Sequence, residues 1–143
     1  MLKLLKIVGS VFLVLVIIIA SFGYYSFQKA AKYETTAVPY IKEVLPKLSS
    51  WDVDTFKMYS TPESNSLNTD EELAKLLKFM SKLGSYKSIN DIQIKTISNG
   101  YLITYIVKVQ YENGEATITM QLEDKDDRFL VNQFHMDSWA LLE

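Results

Sequence analysis

His135 and Asp137 are the residues whose types and spacing come closest to a catalytic pair. They stand two positions apart in the segment from Phe129 to Asp137, which we predict to be a strand, so both side chains point to one face. An imidazole beside a carboxylate can act as an oriented proton shuttle. No third group stands at a predictable position, and strand alternation places the pair with Gln133. We therefore interpret both residues as part of a solvated strand face.

A run of acidic residues precedes that strand and raises the question of a calcium site, because hard cations take oxygen ligands. The run consists of Glu123, Asp124, Asp126 and Asp127. It lacks the ligand spacing and the closing bidentate glutamate of a calcium-binding loop. We interpret it as an exposed turn and expect no metal site.

The composition excludes most other chemistry. The chain has no cysteine and a single histidine, which excludes disulfides, thiolate metal sites, a cysteine nucleophile, a lipid-modified cysteine and a histidine-rich metal site. It contains no nucleophile elbow, phosphate-binding loop or dinucleotide fingerprint. The net charge of −2 gives no case for binding nucleic acid. We expect no enzymatic activity and no cofactor.

Aromatic residues make up 13% of the chain and leave two interpretations open. They fill the core, or some of them line a pocket for an apolar or aromatic ligand. Buried tyrosine hydroxyls need hydrogen-bond partners, so Tyr59 and Tyr105 are the first to consider. The candidate lining residues are Trp51, Phe56, Tyr59, Phe79, Tyr86, Tyr105, Phe129 and Phe134.

The N-terminal segment is the strongest single feature of the sequence. Residues 7–27 form an uncharged apolar run of about 21 residues, long enough to cross the ~30 Å hydrocarbon core of a bilayer as a helix. We predict an uncleaved membrane anchor at residues 1–29. A cleaved signal peptide is the competing interpretation, with small residues at Ser21 and Gly23, but the run exceeds the usual 7–15 residues. A buried helix of a soluble domain is the third.

Lysine placement is nearly balanced across this segment. Lys3 and Lys6 precede the run, whereas Lys29 and Lys32 follow it. A short N-terminal tail tilts the prediction towards a cytoplasmic N-terminus and an extracytoplasmic domain.

Residues 30–143 are predicted to form one domain that begins with helices. An apolar stripe of Val38, Ile41, Leu45 and Leu48 predicts a helix ending near Leu48, with a kink at Pro39 and a stop near Pro46. A short second helix follows, capped by Ser50 or Asp52. Residues 60–68 are predicted to be a loop.

The third helix carries the clearest signals. Thr69 and Glu72 make a capping box, and Gly84 is placed to end the helix. One face is predicted to carry Leu73, Leu76, Leu77, Met80 and Leu83.

Two Asn-Gly pairs predict hairpins in the C-terminal half. Folding about Asn99-Gly100 sets Ile94 opposite Tyr105 and Ile92 opposite Val107. Folding about Asn113-Gly114 sets three apolar pairs on the same face, namely Val109 with Ile118, Val107 with Met120, and Tyr105 with Leu122. The opposite, polar face is predicted to carry Lys108, Gln110, Thr117, Thr119 and Gln121. The fold class is therefore α+β, with about three helices on a four-stranded antiparallel meander.

This element order resembles the nuclear-transport-factor-2-like superfamily, which has a cystatin-like cone fold. The resemblance covers Tyr33 to Trp139 and rests on Trp51-Asp52, the leucine-rich helix from Thr69 to Leu83 and the closing strand FLVNQFHMDS. It implies an apolar pocket between sheet and helices, and pairing through the outer sheet face. Fuller members have extra strands between the second and third helices, where this chain has only a loop.

We accordingly expect a non-catalytic accessory, assembly or scaffolding subunit. Its predicted partners are the lipid bilayer, through residues 7–27, and another membrane or envelope protein or a second copy. An alternative is a small-ligand carrier or enzyme that uses the cone pocket. In another alternative, the anchor itself packs Gly9, Ser10 or Gly23 against helices of a larger complex.

Overall fold

The computed structural model describes residues 2–125 and 128–142, without the side chains of residues 22, 23 and 25–27. The predicted α+β class is confirmed. Among the described residues, four α-helices precede one antiparallel sheet of four strands in the order β1-β2-β3-β4. The helices are α1 (Leu2–Leu48), α2 (Val53–Met58), α3 (Pro62–Asn65) and α4 (Asp70–Met80), and the strands are β1 (Tyr86–Ser98), β2 (Leu102–Tyr111), β3 (Gly114–Lys125) and β4 (Arg128–Asp137). Short 3₁₀ helices follow α4 at Ser81–Leu83 and β4 at Trp139–Leu141.

The chain divides into two compact units, one ending at Thr36 and one beginning at Ala37. Within the first, the segment Leu2–Ser21 is a helix of mean hydropathy 2.7 whose residues are 0% buried. It is long and apolar enough to cross a membrane, and a signal sequence would have the same properties. The predicted anchor at residues 1–29 lies in this unit.

The part of α1 in the second unit buries three of the four residues of the predicted stripe, whereas Val38 is half-buried. Ile41, Leu45 and Leu48 are fully buried, together with Ala37 and Val44. The helix runs through Pro39 and Pro46 and ends at the predicted Leu48. The predicted stop at Pro46 therefore comes two residues later.

The next two helices are short and capped by side chains. Asp52, one of the two predicted caps, accepts a hydrogen bond from the Thr55 amide at 3.0 Å and begins α2. The predicted loop at residues 60–68 is wrong in part, because Pro62–Asn65 forms α3. Thr61 caps α3 by accepting from the Ser64 amide at 3.1 Å, and Pro62 suits the first turn of a helix.

The capping box and the end of α4 are confirmed. Thr69 and Glu72 exchange both bonds, and Gly84 ends the following 3₁₀ helix with φ 78°. Leu77, Met80 and Leu83 are buried as predicted. Leu76 is 48% exposed instead, because it lies at the edge of the buried stripe rather than in its centre.

The β1–β2 register is confirmed, although the turn differs. Ile94 pairs with Tyr105 and Ile92 with Val107. The loop between Ser98 and Leu102 has three residues, with Asn99 at φ 54° and Gly100 at φ 79°. A β-bulge between Ile94 and Thr96 takes up the additional residue.

The predicted β2–β3 register is wrong by two residues. The observed pairs are Val107 with Ile118, Tyr105 with Met120, and Val109 with Ala116. The two loop residues are Glu112 and Asn113, not Asn113 and Gly114. Tertiary hydrogen bonds explain the difference, because the Glu112 and Asn113 amides donate to the carbonyls of Ser85 and Leu83, each at 2.9 Å. Since side chains alternate with period two, the predicted buried face survives.

Apolar side chains of the sheet form the core with the helices. The buried members on this face include Ile103, Tyr105, Val107, Val109, Ala116, Ile118, Met120, Leu122 and Val131. The outer edge of β4 is tied to the segment between α2 and α3: the Thr61 amide donates to the Val131 carbonyl at 2.9 Å, and the Val131 amide donates to the Tyr59 carbonyl at 2.7 Å.

Candidate functional site

The outer face of the sheet brings the predicted partner residues together. Cross-strand pairing aligns three rows of side chains across all four strands. The first row is Asp91, Lys108, Thr117 and Asp137; the second is Gln93, Ile106, Thr119 and His135; the third is Thr96, Thr104, Gln121 and Gln133. Gln110 pairs with Glu115 beyond the first row. We call these three rows the outer face.

The outer face is polar at its ends and partly apolar at its centre. Lys108 is exposed, whereas Thr117, Thr119 and Gln121 are half-buried by their neighbours. Ile106 lies between Gln93 and Thr119 and is also half-buried. Such a mixture of hydroxyl, amide and apolar groups is typical of non-obligate protein interfaces.

A chain of hydrogen bonds holds one side of the outer face. Asn132 is the additional residue of a β-bulge in β4. Its side-chain amide donates to Gln121 Oε1 at 2.6 Å, and its Oδ1 accepts from the Thr61 hydroxyl at 3.1 Å. Gln121 in turn donates to Thr104 Oγ1 at 3.5 Å. The position of Gln121 on the surface is thus fixed from the interior.

His135 and Asp137 lie on the outer face as alternation predicts. His135 Nε2 is 3.3 Å from Asp137 Oδ2, and both side chains are exposed. An exposed pair of this kind contributes little to stability. Their cross-strand partners on β3 are the hydroxyl residues Thr119 and Thr117.

Trp139 is a surface feature that the sequence pattern does not predict. Its side chain is 84% exposed, at the start of the second 3₁₀ helix. It borders an open groove of about 450 Å³, lined also by Glu115, Thr117, Asp137, Ser138 and Leu142. No signal in the sequence distinguishes it from a core tryptophan.

The eight predicted aromatic residues do not share one pocket. Trp51 packs on Tyr111, which also contacts Tyr86, with ring centroids 5.6 and 6.4 Å apart. Phe56 and Phe134 form a separate edge-to-face pair at 5.4 Å. The others are scattered: Tyr105 is fully buried, Phe129 contacts Tyr40, Tyr59 is half-buried, and Phe79 is 42% exposed.

One cleft does use two of these aromatic residues. It has a volume of about 200 Å³ and lies between the helices α2 to α4 and β4. Phe56, Phe134, Leu73 and Met80 give it an apolar wall, and a Lys57–Asp70 ion pair of 2.7 Å stands among its lining residues. Small-molecule sites usually measure roughly 300–1,000 Å³, so this cleft fits only a small apolar group.

Tyr111 and Tyr40 have raised pKa values. Burial raises the pKa of Tyr111 to about 12, and its hydroxyl lies 2.9 Å from the Ser49 hydroxyl. Burial, with the nearby Tyr59, also raises the pKa of Tyr40 to about 12. The Tyr40 hydroxyl is buried and has no hydrogen-bond partner among the described residues. Both groups are neutral at physiological pH, so neither acts as a base there.

The first two residues of the acidic run lie in a strand, not in the exposed turn that we predicted. Glu123 and Asp124 are half-buried residues of β3, paired with Leu130 and Phe129. Asp126 and Asp127 lie outside the described residues. Within residues 2–125 and 128–142, no three histidine or acidic residues are grouped so that they could hold a metal ion.

No protein-family model matches the chain, and no curated protein matches it either.

Proposed function

We propose that the chain is a membrane-tethered accessory or scaffolding subunit whose domain, of the nuclear-transport-factor-2-like kind, binds another membrane or envelope protein. The N-terminal helix supports the tether. The 20-residue segment from Leu2 to Ser21 has a mean hydropathy of 2.7 and none of its residues is buried. Such an uncovered apolar surface is unfavourable in water and favourable in a bilayer. Retention of this helix as an anchor, with the N-terminus in the cytoplasm, belongs to the proposal.

The outer face carries the binding part of the proposal. The helices of the second unit pack on the opposite face of the sheet, and Lys108, Thr119 and Gln121 remain open to a partner. Their rows are rigid because four hydrogen-bonded strands and the Asn132 bonds position them. A preorganised surface loses little conformational entropy on binding.

The arrangement of elements supports the cone-fold assignment. Three short helices and the end of α1 precede a four-stranded meander, and the apolar face of the sheet is covered by helical side chains. The assignment rests on this element order together with the sequence resemblance.

The small-ligand alternative rests on the cleft beside Phe56 and Phe134. Its apolar wall and half-open shape suit a short aliphatic or a single aromatic group. The variant Leu73→Trp distinguishes the two proposed functions. It would fill the cleft and abolish ligand binding, but it would leave capture of a protein partner at the outer face unchanged.

The tether is tested with the full chain carrying different tags at its two ends. We expect both tags on one membrane-bound species that resists alkaline extraction. A shortened, extractable species with only the C-terminal tag would show a cleaved signal peptide. Since the chain has no cysteine, a single Ser66→Cys variant reports the side of the domain through a membrane-impermeant maleimide.

The partner face is tested by copurification from native membranes after crosslinking. We expect wild type to retain a stoichiometric membrane partner that Thr119→Arg loses. Ser50→Arg is the matched control, because Ser50 is exposed and lies outside the outer face. If Thr119→Arg retained the partner as well as Ser50→Arg does, the outer face would not be the binding surface.

A further inference from the structure

Two exposed patches lie at the same end of the sheet. The first, the lysine patch, consists of Lys75, Leu76, Lys78, Phe79 and Lys82 on α4 and the first 3₁₀ helix. The second, the tryptophan patch, consists of Glu115, Asp137, Trp139 and Leu142. The two 3₁₀ helices contact each other and bury Leu83 and Leu141. The Ser138 hydroxyl ties the second helix to β3 by donating to the Glu115 carbonyl at 2.7 Å.

Each patch exposes apolar side chains that the domain does not cover. Leu76 and Phe79 are 48% and 42% exposed in the lysine patch, and Trp139 and Leu142 are 84% and 76% exposed in the tryptophan patch. An aromatic side chain buries roughly 150–250 Å² when covered. The four together supply a substantial part of the about 800 Å² per partner that a stable interface needs.

The charges of the two patches are opposite. Lys75 is engaged by Glu71 at 3.3 Å, so Lys78 and Lys82 carry the net positive charge. Lys82 Nζ lies 4.8 Å from the centre of the Phe79 ring, which joins the cation to the apolar surface. In the tryptophan patch, Glu115 and Asp137 line the same groove as Trp139. Glu115 accepts a hydrogen bond from the Asn90 side chain at 3.0 Å, and Asp137 Oδ2 lies 3.3 Å from His135 Nε2. Neither of these contacts is with a lysine or an arginine, so the patch is acidic. A lysine ammonium group can make a cation–π interaction with the indole and a charge-assisted hydrogen bond with a carboxylate.

We propose that a second copy of this chain docks here, with the lysine patch of each copy against the tryptophan patch of the other. Adjacent patches of opposite charge on one molecule are self-complementary, which is what a two-fold interface requires, since each contact then occurs twice. This dimer goes beyond the proposed function, because it uses the end of the sheet and leaves the centre of the outer face, at Thr119 and Gln121, for another protein.

The test is the molar mass of the full chain in detergent, measured by light scattering across a dilution series. Wild type is expected to be a dimer. Trp139→Ala, and separately Lys78→Glu/Lys82→Glu, are expected to give monomers at the same concentration. Lys95→Glu/Lys125→Glu is the matched control, with two exposed lysines reversed elsewhere on the sheet, and it is expected to remain a dimer.

Charge exchange separates this contact from association through the membrane helix. A Lys78→Glu/Lys82→Glu copy has two acidic patches, and a Glu115→Lys/Asp137→Lys copy has two basic ones. Each alone is expected to be monomeric, and their mixture is expected to form a heterodimer. Monomeric wild type would overturn the proposal. So would a dimer that none of these variants dissociates, because the contact would then lie in the anchor or on another face.

Discussion

The hydroxyl groups of Ser49 and Tyr111 lie 2.9 Å apart in the core, joining the end of α1 to the end of β2 across 62 positions of sequence. Ser49 donates its own proton to the Leu45 carbonyl at 2.8 Å, so the Tyr111 hydroxyl is the donor between the two. The bond satisfies a buried phenol and fixes the position at which the chain leaves the helix. Tyr40, by contrast, buries a hydroxyl without a partner among the described residues.

Because only one of the two hydroxyls is hydrogen-bonded, replacing tyrosine by phenylalanine is expected to affect the free energy of unfolding differently at positions 111 and 40. Tyr111→Phe is expected to lower the free energy of unfolding by about 1 kcal/mol, because it removes a satisfied hydrogen bond. Tyr40→Phe is expected to leave that free energy unchanged or to raise it, because it removes a buried polar atom that makes no bond. Chemical unfolding of the full chain in detergent measures both, and equal losses in the two variants would refute the assignment.

Alkaline pH is expected to destabilise the domain through Tyr111. Its pKa is about 12 in the folded protein and 10.0 without burial, so the folded state holds the proton more tightly than the unfolded state. The stabilisation is present in full below pH 10 and is lost as the pH rises towards 12. A difference of this size corresponds to roughly 2–3 kcal/mol at its limit. Between pH 8 and 12, the free energy of unfolding should fall less steeply with pH in Tyr111→Phe than in wild type. Identical slopes would exclude a contribution of Tyr111 to the loss of stability at alkaline pH.

Gly84 is expected to tolerate no side chain. Its φ of 78° is unfavourable for other residues, and an added Cβ would stand 2.9 Å from the Glu112 Cβ. Gly84→Ala should therefore lower the free energy of unfolding by about 1–3 kcal/mol. Gly9→Ala is the control, because nothing lies within 4 Å of an added Cβ there. A Gly84→Ala variant as stable as Gly9→Ala would contradict the described turn.

Local chemistry predicts some elements of this fold and not others. The Thr69 capping box and the Ile94–Tyr105 pairing follow from residues close in sequence, and both are confirmed. The β2–β3 register does not follow from them, because amides of Glu112 and Asn113 bond to carbonyls about 27 to 30 residues earlier and move the turn by one position. Alternation alone still identifies the buried face, since a shift of two leaves it unchanged.

The sequence likewise predicts one of the candidate surfaces and not the other. Period-two alternation places Lys108, Thr117 and Thr119 on one face before any contact is known. Trp139 carries no such signal, because a single aromatic residue after a strand is as consistent with burial as with exposure. Its exposure depends on how the second 3₁₀ helix packs on β3 at Gly114 and on the first 3₁₀ helix, which only the assembled fold determines.

Asn132 is expected to couple the interior to the outer face. Asn132→Ala removes its bonds to Gln121 and Thr61 and should lower the free energy of unfolding by about 1–3 kcal/mol. Because Gln121 then loses its fixed position, capture of the membrane partner should weaken although no residue of the three rows is changed. Thr69→Ala serves as a control of similar cost to stability, since it removes a distant helix cap. Equal loss of partner capture in the two variants would mean that stability alone explains the effect.

Site-specific photocrosslinking from position 119 in native membranes tests the central claim most directly. A photoreactive residue replaces Thr119 at the centre of the outer face, and a second one replaces Ser50 outside it. We predict that irradiation joins position 119, but not position 50, to one membrane or envelope protein. Crosslinks from position 119 only to lipid, only to the chain itself, or to the same proteins as from position 50 would contradict the proposed accessory function.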